Sequence, residues 1–138
     1  MFNRTPDAAP SLRTPVLAML AGVLLAIVTL AVPALAAERG GTWKGTSGHT
    51  TTGTVSIVEE GGTYTVVFSD DWSIDNAPDP YISFGTADAF AEGTDFALIE
   101  TSGGQSFTVP EGIDPTQFEA AWVWCKRFGV PLAVATLK

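Results

Sequence analysis

The sequence is short of the residue types that usually crosslink a small protein or hold a metal in it. It has one cysteine, Cys125, one histidine, His49, and no methionine after Met19. A single cysteine excludes an intrachain disulfide, the usual staple of a small exported domain. One cysteine and one histidine also make a poor zinc site, because zinc takes three or four protein ligands. Cys125 is therefore a core residue, a metal or cofactor ligand, or a reactive thiol.

Basic residues are scarce as well. The chain has seven Lys and Arg against fifteen Asp and Glu, which gives a formal net charge of −8. An acidic surface of this kind repels phosphate backbones, and no basic cluster offsets it, so nucleic acid is excluded as a partner. The sequence also lacks a G-x-S-x-G nucleophile elbow and a phosphate-binding glycine loop, so no motif marks the chain as an enzyme on its own.

The N-terminal residues have the order of an export signal. Arg4 and Arg13 precede an apolar run, residues 16–32, that carries no charge. Pro33 and the small-residue sequence A-L-A at residues 34–36 follow it. Basic, apolar and small residues in this order are typical of a secretory signal peptide. The sequence therefore predicts an exported protein.

The fate of this segment has two interpretations. Cleavage after Ala36 would release residues 37–138 into the periplasm or the cell exterior. Alternatively, residues 15–37 exceed the roughly 20 apolar residues that cross a bilayer as a helix, so they could remain as an anchor. In that case the domain faces outward, and the N-terminal segment is its contact with the membrane.

Residues 37–138 carry the pattern of an all-β domain. Short stretches of β-branched and aromatic residues alternate with turn residues at a spacing of roughly ten. We expect an antiparallel β-sandwich or jelly roll of about eight short strands. The predicted strands are residues 41–47, 53–58, 63–69, 80–84, 95–100, 105–109, 120–125 and 132–137.

Two of the connections between predicted strands contain residues that are typical of particular turns. Gly61 and Gly62 predict a tight hairpin, because glycine accepts the positive φ that such turns require. Asp114 and Pro115 predict the N-cap and first residue of a short helical turn. The acidic stretch at residues 69–80 predicts a loop.

Strand 120–125 carries bulky residues on both faces. Because side chains alternate along a strand, Trp122 and Trp124 share one face, and Val123 and Cys125 share the other. We therefore expect an inner strand with Cys125 at least partly buried. If the strand stays extended, Arg127 lies on the same face as Cys125 and could favour the thiolate.

The acidic loop is a candidate calcium site. Asp70, Asp71, Asp75 and Asp79 supply hard oxygen donors of the kind that Ca²⁺ takes, although their spacing fits no EF-hand. The competing interpretation is a solvated turn in which these side chains cap their own backbone.

Three segments together resemble the DM13 family of small extracytoplasmic domains, which is related to the DOMON group. Residues 48–55 read GHTTTGTV, in which His49 precedes the T/S-G-x-V strand start that the family favours. Residues 75–82 read DNAPDPYI and match the family's Pro-Asp pair ahead of a strand. Residues 123–130 read VWCKRFGV, and residues 133–137 close the domain.

The resemblance implies a β-sandwich that acts in electron transfer through a redox or cofactor-binding cysteine, here Cys125. It leaves haem or a metal as the cofactor, and His49 is the candidate second ligand. Related DOMON cytochromes bind haem through Met and His, and the absence of methionine after Met19 excludes that ligation here. The redox partner is not identified by the sequence.

The alternative is a structural or ligand-binding β-sandwich of the cell envelope. In this interpretation Cys125 is a small apolar core residue. The exposed aromatic residues would then contact the envelope ligand, and Trp43, Trp72 and Tyr81 are the candidates.

Cleavage after Ala36 predicts that the exported protein begins at Ala37. Mass spectrometry of the protein recovered from outside the cytoplasm measures this directly. Recovery of the intact chain in the membrane fraction would instead identify residues 15–37 as an anchor.

Overall fold

The computed structural model describes residues 37–138, so the predicted signal or anchor at residues 1–36 lies outside the described part. Residues 37–138 form antiparallel strands and one 3₁₀ turn, Pro115–Gln117. The strands are β1 (Ala37–Thr42), β2 (Lys44–Gly45), β3 (Thr51–Thr52), β4 (Thr54–Glu60), β5 (Thr63–Phe68), β6 (Ser73–Ile74), β7 (Pro80–Gly85), β8 (Ala97–Leu98), β9 (Gln105–Thr108), β10 (Ala120–Cys125) and β11 (Val130–Thr136). Within the described range, no helix has the length and apolar character needed to cross a membrane.

The strands form two main sheets and a short ribbon. Sheet I has four strands in the order β1-β4-β5-β9, and sheet II has five in the order β2-β11-β10-β7-β8. Strands β3 and β6 pair separately as the ribbon. Buried side chains from both sheets belong to one hydrophobic core, as in a β-sandwich. The predicted all-β antiparallel fold is confirmed.

The longer predicted strands are found with small changes of boundary. Strand β10 has the predicted limits, whereas the predicted strand at 41–47 is divided into β1 and β2 at Trp43. There the chain passes from sheet I to sheet II, so a single flat strand is not formed. Ribbon strand β6 lies inside the segment predicted as a loop, and a two-residue strand is too short to show alternation.

Both predicted turns are present. Glu60 and Thr63 pair across Gly61 and Gly62, whose φ values are +59° and +84°. Positive φ at both central residues is the type I′ geometry that suits a two-residue hairpin.

The helical turn is a 3₁₀ turn with Asp114 at its N-cap. The Asp114 side chain accepts hydrogen bonds from the Thr116 hydroxyl at 2.6 Å and from the Thr116 amide at 2.9 Å. Both bonds stabilise the carboxylate, so the Thr116 hydroxyl and then its amide lower the pKa of Asp114 below its ordinary value.

Three aromatic rings from different parts of the chain meet in the core. Trp43 stacks on Phe68 with ring centroids 5.2 Å apart. Trp72 lies 5.3 Å from Trp43 and 5.0 Å from Phe68, in the second case edge to face. Such pairs each contribute about 0.5–1.5 kcal/mol beyond the burial of their area. This cluster joins the crossing point at Trp43 to the end of β5.

Phe68→Ala is expected to lower the free energy of unfolding by about 3–5 kcal/mol, because it leaves a cavity between two tryptophan rings. Thermal unfolding of the purified protein should show a midpoint roughly 12 °C lower or more. Val67→Ala is the matched control, since Val67 is the preceding residue and is 36% exposed. Equal effects of the two substitutions would contradict the packing described here.

Candidate functional site

Cys125 occupies the last position of the central strand of sheet II. Strand β10 is paired on both sides, and Cys125 lies opposite Val130 of β11 and Pro80 of β7. Cys125 and Val123 are both 0% exposed and belong to the hydrophobic core. The side chain that the sequence identified as the candidate thiol is thus fully enclosed on the inner face.

The outer face of β10 carries the two tryptophans. Trp122 Nε1 donates a hydrogen bond to the carbonyl oxygen of Thr86 at 2.9 Å. Trp124 stacks face to face on Phe90, with centroids 4.1 Å apart and an angle of 8° between the planes. The segment after β7 therefore covers this face. Sequence reasoning missed Phe90, because nothing near it in the chain signals a partner 34 positions away.

The two cations after Cys125 lie beyond the end of its strand. Strand β10 ends at Cys125, and the chain turns so that the Gly129 amide donates to the Cys125 carbonyl at 2.8 Å. The prediction that Arg127 shares the face of Cys125 is therefore wrong, because it required an extended strand. Arg127 is exposed at this turn.

Lys126 makes its contacts on the outer surface. Its Nζ lies 3.0 Å from Asp95 Oδ2 and 4.9 Å from the centre of the Tyr81 ring. The hydrogen bond that Lys126 donates to Asp95, together with the negative charge of Asp95, raises the pKa of Lys126 above the ordinary value. Phe90, Asp95, Trp124 and Lys126 line a common cleft of about 420 Å³, together with Glu92.

His49 is held in one orientation by Asp75. The ring Nδ1 lies 2.8 Å from the Asp75 carbonyl oxygen and 3.4 Å from its Oδ1. A carbonyl oxygen can only accept, so Nδ1 carries the proton, and in the neutral ring the lone pair is on Nε2. Metal-binding histidines are oriented in the same way. The His49 side chain is 16% exposed, so it lies mostly within the fold.

The loop at residues 75–79 bonds to His49 and to the residue that follows Cys125. At one end of the loop, Asp75 accepts from His49 and, at 2.8 Å, from the amide of Thr50. At the other end, the Asp79 carbonyl accepts from the amide of Lys126, next to Cys125, at 3.1 Å. The structure thus brings His49 and Cys125 to the same end of the domain.

Asp71 and Asp75, two of the acidic residues in the predicted calcium loop, form separate hydrogen bonds. Asp71 Oδ1 accepts from the Ser69 hydroxyl at 2.6 Å, while Asp75 binds His49 and Thr50. Asp70 and Asp79 lie on the same loop. Among residues 37–138, no group of three or more His, Cys, Asp or Glu side chains is placed to hold a metal ion. The carboxylates of Asp71 and Asp75 thus accept hydrogen bonds from different partners, the Ser69 hydroxyl and the Thr50 amide.

Two of the three aromatic candidates for ligand contact are core residues. Trp43 is 4% exposed and Trp72 is 1% exposed, and Trp72 Nε1 donates to the Glu100 carbonyl at 2.9 Å. Their assignment to a ligand surface is therefore wrong. Tyr81 remains partly exposed beneath Lys126.

A known family matches most of this chain. The sequence model of the family described as Electron transfer DM13 matches residues 44–137, which include His49, Asp75, Asp79 and Cys125. The chain belongs to the DM13 family. No curated protein and no solved structure matches it. The DM13 match runs from the start of β2 nearly to the C-terminus, so it covers both candidate residues and the loop at residues 75–79.

The enclosure of Cys125 predicts slow thiol chemistry in the folded protein. A bulky maleimide should label it at least tenfold more slowly than a surface cysteine, because only the open conformation reacts. Ser106→Cys combined with Cys125→Ser provides the surface control, since Ser106 is exposed on β9. Denaturant should make the two rates equal. Labelling at the control rate under native conditions would contradict the burial.

Proposed function

We propose that this DM13 domain carries electrons on the outer side of a membrane and that Cys125 is its redox-active group. Three independent features support the proposal. The family match covers residues 44–137 and is described as electron transfer. The N-terminal sequence predicts export. Cys125 is the only thiol of the chain and ends the central strand.

The burial of Cys125 decides which redox chemistry is compatible with the fold. Thiol–disulfide exchange requires a thiolate sulfur that another sulfur can approach. Cys125 is 0% exposed, so exchange with a protein partner is disfavoured. Electron transfer needs no such attack, and metal ligation needs room only for the ion. Because the thiol is fully enclosed, electron transfer is more compatible with the fold than thiol–disulfide exchange is. This enclosure is the observation on which the proposal depends.

Haem does not fit beside Cys125 as the domain is packed. A haem needs an open face next to its axial ligand, and the thiol has core side chains around it. A cleft of about 550 Å³ exists, but residues 62–64 and 108–114 line it, and neither Cys125 nor His49 is among them.

A small soft ion suits the donors better. Thiolate sulfur and imidazole nitrogen are the ligands that copper takes in proteins. Cys125 would supply the sulfur and His49 would supply Nε2, which the bond from Nδ1 to Asp75 leaves with its lone pair. Such an ion, when bound, supplies reversible one-electron chemistry. The residues of this chain orient the imidazole and exclude water from the sulfur.

A non-redox β-sandwich is the second candidate, and one observation favours it. Cys125 packs in the same core and to the same extent as Val123, an ordinary apolar residue. In that case the thiol is a packing element, and the partly exposed Tyr81 belongs to the ligand-contacting surface.

Cys125→Ser separates the two candidates. If Cys125 is the redox group, the exported protein given one equivalent of copper should show a sulfur-to-metal absorption band and a reversible voltammetric wave. Cys125→Ser and Cys125→Ala should both abolish these signals, and His49→Gln should shift or weaken them. Asp71→Asn is the control, because Asp71 is close to the same loop and its side chain bonds to Ser69 and not to His49 or Cys125.

The second candidate predicts a different result. Wild type would show neither band nor wave, and Cys125→Ser would only bury a hydroxyl, at about 1–3 kcal/mol. Each kcal/mol lowers the thermal midpoint of a domain of this size by roughly 4–8 °C. A colourless, redox-inactive wild type with a lower-melting serine variant would refute the electron-transfer proposal.

A further inference from the structure

The cleft of about 550 Å³ lies between the β4–β5 hairpin and the segment that follows β9. We call it the hairpin cleft. Residues 62–64 form one side of it, and residues 108–114 form the other. The Val109 amide donates a hydrogen bond to the Tyr64 carbonyl at 2.9 Å, which ties the two sides together. Because neither Cys125 nor His49 lines this cleft, it is separate from the candidate redox site.

Tyr64 supplies the aromatic surface of the hairpin cleft. It alternates with Val66 and Phe68 along β5, so its ring shares their inner face and packs against the core. Tyr64 is only partly buried, and it also lines a smaller cleft of about 100 Å³. Val109 and Ile113 add aliphatic side chains on the other side. A ligand in the hairpin cleft therefore meets apolar surface.

The charged side chains around this ring are mostly acidic. Glu111 and Asp114 line the hairpin cleft, and Glu59 lines the smaller one. Of the described residues, Arg39 is the one cation that lines either cleft. Its guanidinium already donates to two backbone carbonyls, at 3.2 and 3.1 Å. Three carboxylates and one guanidinium leave a net negative charge here, which favours a cationic ligand.

Local structure holds these carboxylates in place. Glu59 accepts a hydrogen bond from the Gly62 amide at 2.7 Å. Asp114 caps the 3₁₀ turn through its side chain. Glu111 lies in the turn at residues 110–113, which a backbone hydrogen bond of 3.3 Å closes. Side chains that are ordered before a ligand arrives lose less conformational entropy when it binds.

The arrangement of carboxylates suits an organic cation better than a metal ion. Within residues 37–138, no three His, Cys, Asp or Glu side chains are placed to hold a metal. An ammonium group on an apolar body can pair with a carboxylate and also lie against the Tyr64 ring, which attracts cations. The cleft volume is in the range of small-molecule sites. We propose that the hairpin cleft binds a small organic ammonium compound, a function beyond the electron transfer proposed above.

Benzylammonium serves as the probe, with benzyl alcohol as its uncharged counterpart and benzoate as its anionic one. NMR titration of the purified protein at low salt should show saturable shifts of the amides at residues 62–64 and 108–114. Benzyl alcohol should bind at least roughly threefold more weakly because it lacks the charge. Benzoate should not bind, and added salt should weaken the binding of benzylammonium.

Substitutions in the cleft should weaken the binding of benzylammonium in a defined order. Glu111→Gln with Asp114→Asn should weaken it about tenfold through the loss of two charges, while asparagine still caps the 3₁₀ turn. Tyr64→Leu should weaken it roughly threefold or more, because it removes the aromatic ring. Asp88→Asn is the matched control, since Asp88 is exposed and does not line the cleft.

Three results would overturn the proposal. The first is the absence of saturable binding by benzylammonium, and the second is equal binding of benzyl alcohol. The third is a loss in Asp88→Asn as large as in the cleft variants, because general charge would then account for the attraction. Binding of an acetylated lysine peptide, with none of the free amine, would reassign the cleft to a protein partner and overturn the proposal as well. The titration needs no redox change at Cys125, so a redox-inactive protein leaves its outcome unaffected.

Discussion

Strand β10 is stable only if both of its faces are covered, and much of the domain is arranged around that requirement. Its inner face, with Val123 and Cys125, is closed by the hydrophobic core. Its outer face is closed by Phe90, which stacks on Trp124, and by the bond from Trp122 to the backbone of Thr86. If one face of the strand were polar, that face could be exposed to solvent. Because both faces of β10 are covered, Cys125 is one of the most enclosed residues of the fold.

The sequence predicted the features that local chemistry determines. Alternation defined β10, the glycine pair defined the β4–β5 hairpin, and Asp114 with Pro115 defined the capped turn. Features that depend on distant partners were not predictable in this way. The β3–β6 ribbon has two residues in each strand, and the contact of Lys126 with Asp95 joins residues 31 positions apart. Neither leaves a periodic signal in the chain.

In the candidate site too, some features follow from local sequence and others depend on distant partners. The identity of Cys125 and its burial followed from the sequence, since both depend on the strand that contains it. The orientation of His49 did not, because a backbone carbonyl at Asp75 sets it, and any residue type there could supply that group. The placement of Arg127 was wrong for a related reason. Where a strand ends is decided by the turn, and Gly129 with φ of +61° permits that turn immediately after Cys125.

Enclosure also bears on how the thiol would survive outside the cytoplasm, where the sequence predicts that this domain lies. Exposed thiolates in an oxidising compartment proceed to sulfenic and then irreversible sulfinic and sulfonic acids. The inner face of β10 shields Cys125 from such oxidants, since each of those steps adds oxygen atoms at the sulfur and needs direct access to it. In the proposed function, electron transfer at Cys125 requires no such access, because no atom has to reach the sulfur. Burial therefore disfavours the addition of oxygen at the sulfur, which becomes irreversible at the sulfinic acid, and it is compatible with the proposed electron transfer.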